Sequence, residues 1–436
     1  MFAVEYINFL IFGLFWAYLI KSKKPIISIF IAGLWAFSAF VGIFYFNSDV
    51  FRFSAHKIEV IPFLYLFFVV AIFLYPLTRK KFEIKEIYVN DKFTHYLAIF
   101  FILIGIIPSI EVFIYFVKSL MTGQFFANAI MYDDIVDGVS NSDIERNMSF
   151  IGVKLMHLVA YFNLFMPIVV FYLYSKGKIF LSIAVFTVTM IHPLFAVCNG
   201  NRARLVFMSL YYASIFLALR NIFSKELHLR IRKYIIVVTT CLVLIFIGLS
   251  VGRFVLGNQY GQVALSDYLF QYTAESQYNF NNQAWHNHTP LMGDYTLWHF
   301  KVKLGLQNSD NLNDRRYELS KKTSVPTHIF YSFPGELFLD WGAVGTIIIA
   351  IIIAFLFSRI RVKNGRIRMS SLLLFGAYIF LISNSIFYYV YKVYSEFYGA
   401  TLFIWFLLRL SEDRRFIKKA VSTNKKIAPP PDTCEN

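Results

Sequence analysis

Apolar runs of span length recur from one end of this 436-residue chain to the other, separated by polar connections that are mostly short. A continuous apolar stretch of about 18 residues or more crosses a hydrocarbon layer about 30 Å thick as a helix. Within a bilayer every backbone N–H and C=O must be satisfied by the protein itself, which leaves helices and closed barrels. Barrel strands alternate polar and apolar residues over segments of about ten. These runs do not alternate, so the barrel is excluded. With 58% hydrophobic residues, among them 50 Phe and 28 Tyr, the chain carries more apolar surface than a water-soluble domain can hide. The expectation is an all-α, polytopic membrane protein, one integral membrane domain over residues 1–436.

Eleven transmembrane helices are expected, near residues 4–20, 26–46, 60–77, 96–117, 151–174, 179–197, 205–219, 234–252, 336–357, 371–390 and 396–409. KSKKP follows the first run where a signal peptide would carry small residues for cleavage, so that run reads as a retained span. Two connections, 119–150 and 255–330, exceed what a turn needs, and connections of that length are usually functional. The tail from about 412 to 436 ends in KKIAPPPDTCEN, polar and Pro-rich, and is expected to be disordered.

Charge fixes the expected orientation. The connections 21–24, 78–92, 175–178, 220–233 and 358–369, with the tail from Arg409, hold 27 of the 42 Lys and Arg residues. The formal net charge of +16 divides into +19 on this set and −3 on the rest. Short loops rich in Lys and Arg stay in the cytoplasm. The N-terminus is therefore expected outside, the C-terminus in the cytoplasm, and both long connections outside. The same distribution excludes a nucleic-acid partner. The basic residues lie in juxtamembrane loops, where they set topology and meet anionic lipid, and no basic domain exists.

Cysteine and histidine add little. Cys198, Cys241 and Cys434 have no evident partner and no C-x-x-C spacing. His286, His288 and His299 lack a ligand pattern, so neither a metal nor a cofactor is expected.

The longer outer connection opens with ALSDYLFQYTAESQYNF (264–280), whose apolar residues return at helical spacing. Beyond it, Trp285, Tyr295 and Trp298 alternate with amides and carboxylates. Aromatic faces beside directed hydrogen-bonding groups suit a sugar; an aromatic belt at the membrane interface is the alternative. Arg315 and Arg316 form a basic pair in the same connection, readable as a glycan contact or as a solvated helix face.

Two further constellations carry chemistry. In NGNRARLVFMSL (199–210), Arg202 and Arg204 sit in a short turn at the outer mouth of two spans, where basic residues are otherwise sparse. They either snorkel to water and lipid phosphate or hold an anionic partner. A guanidinium fork grips two phosphate oxygens at once, which points to a lipid-linked phosphate or diphosphate. Arg253, in GLSVGRFVLG (248–257), ends the next span and can reach the same mouth. In FPGELFLDWGAVGTIIIAIIIAFLF (333–357), Ser332 and Pro334 are helix-start signals. Glu336 and Asp340 lie four residues apart and share one helix face. They are candidates for a general base, with helix-dipole stabilisation as the alternative. Gly342 and Gly345 are expected to allow close packing against another helix.

GNRARLVFMSL following one span resembles the small-x-R-x-x-x-apolar element of the O-antigen polymerases (Wzy-type oligosaccharide repeat-unit polymerases). The 333–357 stretch resembles their P-x-E-x-x-x-x-x-G-x-x-G span, and the long connection lies between the two elements, as in that family. The resemblance covers roughly residues 150–410. It implies a metal-independent glycosyltransferase of the bacterial inner membrane that polymerises undecaprenyl-diphosphate-linked oligosaccharide repeat units into surface polysaccharide. It further implies that Arg202, Arg204 and Arg253 hold the diphosphate, and it leaves room for a chain-length regulator as partner. An O-antigen ligase, or a lipid-linked oligosaccharide flippase, would share part of this layout.

Overall fold

The computed structural model describes residues 4–425 apart from 53–57, 80–81, 125–142, 200, 202, most of 232–263, 288, 307–311, 324, 328 and 393–395. In chain order the helices are α1 (Val4–Lys21), α2 (Ile26–Phe46), α3 (Val60–Leu74) and α4 (Asp91–Met121). Next come α5 (Phe150–Ala160), α6 (Met166–Ser175), α7 (Ile179–Cys198) and α8 (Ala203–Leu219). The long connection contributes α9 (Leu265–Asn282), α10 (Trp298–Lys303) and α11 (Leu312–Thr323). Then follow α12 (Ser332–Ser358), α13 (Met369–Ser383) and α14 (Glu396–Lys425). Seven helices among the described residues are long and apolar enough to cross a membrane: α1, α2, α3 with its 3-10 extension to Thr78, α4, α7, α8 with its extension to Ile222, and α12. The protein is an all-α, membrane-embedded bundle.

Four expected spans need separate description, of which three take another form and one lies largely outside the described residues. The span at 151–174 is two helices, α5 and α6, separated by a turn at 161–165. Pro167 opens α6 and has no N–H to offer the carbonyl four residues back, which breaks the ladder there. The span at 234–252 lies largely outside the described residues. The span at 371–390 is helical only as far as Ser383, and residues 384–389 run buried without helix. The fourth, α12, bends at Gly342, whose φ of 66° and ψ of −174° are far from helical.

That bend is a reversal. Phe333 packs on Phe73, near the end of α3, with ring centroids 4.9 Å apart. Phe338 lies against Tyr65, further back along α3, and the Tyr65 hydroxyl donates to Ala343 O at 2.7 Å. Phe357 then stacks on Tyr378 at 4.3 Å, and the Tyr378 hydroxyl donates to Phe73 O. A straight helix would hold residues 333 and 357 about 36 Å apart. Instead both return to the Phe73 end of α3, so α12 is a helical hairpin.

The basic connections meet at one end of the bundle. Strand β1 (Glu86–Tyr88) pairs in parallel with β2 (Arg366–Arg368), and Arg366 Nε lies 2.7 Å from Glu86 Oε2. A cavity of about 240 Å³ is lined there by 86–91, Lys176, Arg368, Ser411 and Glu412. Four connections expected on one side of the membrane are thus brought together. The small sheet was not foreseen.

At the start of the tail, helix α14 continues to Lys425. Glu412 is buried and accepts from Ser370 N (3.0 Å) and Ser370 Oγ (2.6 Å), satisfying donors at the start of α13. Burial raises the Glu412 pKa above the ordinary 4.5, although the Ser370 donors and the charges of Arg368 and Arg409 pull it down.

Candidate functional site

The long connection is partly inside the bundle. Helix α9, foreseen as amphipathic, lies against α2 and buries its C-terminal half. Its amides are used internally. Asn8 Nδ2 donates to Gln277 Oε1 at 2.8 Å, and Gln277 Nε2 donates to Ser38 Oγ at 2.9 Å. Ser38 Oγ in turn donates to Thr273 O at 2.8 Å. Asn281 exchanges two bonds with the backbone of Glu59, and Asn279 Nδ2 donates to Phe330 O at 3.1 Å. Each pairing removes the cost of a buried amide left without a partner.

Beneath α9 the N-terminal half of α12 meets the unwound stretch after α13. Ser332 N donates to Phe387 O at 2.9 Å, and Phe333 N donates to Ser385 O at 2.8 Å. Ser332 holds a φ of 65°, sparsely populated for a residue with a side chain. Glu336, one turn on, is fully buried and accepts from Tyr389 N at 2.7 Å. Burial first, then the Glu336 charge, pushes the phenols of Tyr295 and Tyr331 well above the ordinary 10.0. Both stay protonated donors. The Tyr331 hydroxyl lies 2.6 Å from Pro326 O and 3.0 Å from Gln283 Oε1.

Asp340 does different work from Glu336. It is fully buried, and its two oxygens accept from Tyr295 N (2.8 Å), Thr296 N (2.6 Å) and Thr296 Oγ1. Leu291 N donates to Leu339 O and Met292 N to Asp340 O, at 3.0 and 2.8 Å. The carboxylate thereby clamps the 291–296 turn onto the hairpin.

The glycine expectation is corrected. A Cβ at Gly342 would meet nothing nearer than Pro290 Cγ at 3.8 Å, so glycine is there for its positive φ. A Cβ at Gly345 would lie 2.8 Å from Trp341 Cβ, within its own helix. Neither packs a second helix.

The aromatic candidates also change character. Tyr295 and Trp298 are 1% and 2% exposed, and the Arg315 guanidinium sits 5.9 and 5.8 Å from their ring centroids. Arg315, itself 6% exposed, donates from Nη2 to Tyr295 O at 3.2 Å. These three groups build a wall of the site, and a sugar cannot stack on either ring in this conformation. Trp285 packs on Tyr65, Phe280 and Phe338 and is half-buried. The Arg316 side chain, Arg202 and Arg253 lie outside the described residues.

Arg204 opens α8, and its Nη1 lies 2.7 Å from His192 Nε2, a contact not anticipated from the sequence. Phe207, nearly one turn further, packs on Phe387 and Tyr388 at 5.6 and 5.1 Å. The arginine end of α8 and the Glu336 pocket therefore flank one unwound segment. Sequence reasoning missed Tyr331 and Tyr389. The polar SNS at 383–385 inside an apolar run was the available signal for the break. Among the described residues, no group of three His, Cys, Asp or Glu is placed to hold a metal ion. No protein-family model matches the chain, and no curated protein or solved structure matches it significantly.

Proposed function

We propose that this protein is a glycosyltransferase of the bacterial inner membrane, with eleven crossings, an outward N-terminus and a cytoplasmic C-terminus. It joins undecaprenyl-diphosphate-linked oligosaccharide repeat units into O-antigen or a related surface polysaccharide. One observation carries the reading: Glu336 is a buried carboxylate ringed by tyrosines, where a half-helix meets unwound backbone beneath a folded connection. Non-helical backbone at membrane depth is tolerated only where protein or a cavity surrounds it, and buried acids cluster at working sites.

In the reaction an acceptor hydroxyl attacks the donor's anomeric carbon, and the bond from that carbon to the diphosphate oxygen breaks. The hydroxyl proton passes to a base, a role assigned to Glu336. Charge gathers on the leaving diphosphate, so cationic groups act most strongly in the transition state. Arg204, nearly one turn before the Phe207 that packs on the unwound segment, is assigned this role together with Arg202 and Arg253. Asp340 positions Tyr295, while Arg315 and Trp298 close the pocket wall.

A null strain of a host with an outer membrane tests the reading. Single units are still flipped and ligated, so its lipopolysaccharide should show core plus one repeat and no ladder. Restoring Glu336→Gln at normal protein level should leave that band unchanged, and a full ladder would remove Glu336 from the mechanism. Bare core with polymer stranded on the lipid carrier would overturn the polymerase in favour of a ligase. The broken helices favour a second reading, since transporters also join half-helices at the membrane midplane. A flippase predicts bare core with single units trapped on the cytoplasmic face.

A further inference from the structure

The turn that Asp340 clamps leads into an apolar surface that the bundle does not cover. Met292, Leu304 and Leu306 are 63%, 72% and 67% exposed, and Leu297 and Phe300 are exposed beside them. These five side chains form one patch. Leu297 N donates to Gly293 O, Lys301 N to Leu297 O and Leu304 N to Phe300 O, so residues 297, 300 and 304 follow one helical face. Leu306 N donates to Lys301 O at 2.8 Å, and Lys301 Nζ donates to Met292 O at 2.9 Å, which closes the patch around the lysine stem. The opposite face of α10 buries Trp298.

The patch adjoins a helix long and apolar enough to cross a membrane. A Cβ at Gly293 would meet Leu297 Cδ1 at 3.2 Å and the Trp341 ring at 3.3 Å. Trp341 leads through Gly342 into the second half of α12, where Val344, Ile348 and Ile351 are exposed on a helix long and apolar enough to face lipid. Loop leucines and lipid-facing residues thus form one continuous apolar surface at the end of α12 opposite the basic connections. Exposed Lys303 lies next to Leu304, and a lysine at that edge suits anionic head groups.

We infer that residues 292–306 are an interfacial anchor, seated in the head-group and upper acyl region of the bilayer with the 297/300/304 face turned into lipid. Their occupant is membrane lipid, because an apolar patch of this extent continuous with a lipid-facing helix remains wet only at a cost. The inference is independent of the chemistry proposed for Glu336.

The test uses the full chain, with Cys198→Ala, Cys241→Ala and Cys434→Ser, in phosphatidylcholine–phosphatidylglycerol vesicles. A single environment-sensitive fluorophore is placed on Leu304→Cys, and separately on Thr289→Cys as an exposed polar control. At 304, emission should be blue-shifted, quenched by lipids carrying a nitroxide near the head group, and several-fold less sensitive to aqueous iodide than at 289. Iodide sensitivity equal to that at 289, without nitroxide quenching, would overturn the anchor. Protection from both quenchers would also overturn it, by assigning the patch to a protein partner or a second copy. Should Leu304→Cys fail to fold, Leu306→Cys gives the same readout.

Discussion

The two halves of α12 are both apolar in sequence, yet they live in opposite surroundings. Residues 332–340 are buried without exception, while only three of residues 343–358 are buried. The first half is held by directed bonds: its opening N–H groups pair with 385 and 387, Glu336 with Tyr389, and Asp340 with the 295–296 turn. The second half has Tyr65 on Ala343 O, Thr346 on Gly342 O and Phe357 stacked on Tyr378, and otherwise presents mainly hydrocarbon. Hydrophobicity alone therefore does not distinguish a helix that crosses lipid from one folded back into protein. What distinguishes them is where polar groups must find partners.

The largest test of this contrast is Asp340→Ala. It strands the N–H groups of Tyr295 and Thr296 in the interior, at about 1–3 kcal/mol each, so a loss of about 4 kcal/mol is expected. Thermal unfolding in detergent measures it. Asp340→Asn keeps a carbonyl acceptor and should lose distinctly less. Equal, small effects would mean that the clamp does not hold the turn.

Gly342→Ala comes next. An alanine there keeps its side chain clear of neighbours but must adopt a φ and ψ that only glycine populates readily, at a cost of about 1–3 kcal/mol. The loss should appear in unfolding temperature and in protease resistance of the 291–296 turn. An unchanged protein would mean that the hairpin is not set by that residue.

A smaller effect concerns the same turn from its wet side. Asp294 sits 2.5 Å from Lys301 and 2.9 Å from Lys322. Partial burial raises its pKa, but hydrogen bonds to Lys301 and Lys322 and their charges outweigh this, leaving it below the ordinary 3.8. A depressed carboxylate contributes stability above its unfolded pKa and loses it as pH falls through the folded value. Asp294→Asn should therefore be slightly less stable than wild type near neutrality, by about 0.2–1 kcal/mol, as for partly exposed pairs. The gap should begin to narrow as pH falls below about 4 and shrink further with acid. A gap that does not narrow would show that charge is not its source.

The contrast also marks how far the sequence could be read. Apolar runs located the seven long helices, because length and composition suffice for them. The helix start at Ser332 and the pair Glu336 and Asp340 were legible from local spacing. The reversal at Gly342 was not, since it depends on Phe333 and Phe357 reaching one end of α3. The internal role of the α9 amides was not legible because their partners, Asn8, Ser38 and Glu59, lie more than 200 positions away. Tyr295 and Trp298 looked like sugar platforms for a related reason: composition does not say which face of a ring is already covered. His192 escaped notice because nothing in an apolar span marks a histidine as the neighbour of Arg204.

The smallest expected effect lies in the second half of α12. Ile351 is exposed on a helix that faces lipid, with no hydrogen bond or ring contact to lose. Lipid tails are as apolar as the methyl groups removed, so Ile351→Ala exchanges one hydrocarbon contact for another. Its unfolding temperature should match wild type within what about 0.5 kcal/mol produces. Leu339→Ala, in the buried half, empties space that lipid does not reach, and should cost about 2–5 kcal/mol. The two substitutions remove comparable apolar groups from one helix, so the ratio of their effects measures the environment rather than the chemistry. Comparable losses at both positions would place Ile351 against protein, and the lipid-facing assignment of residues 343–358 would fall with it.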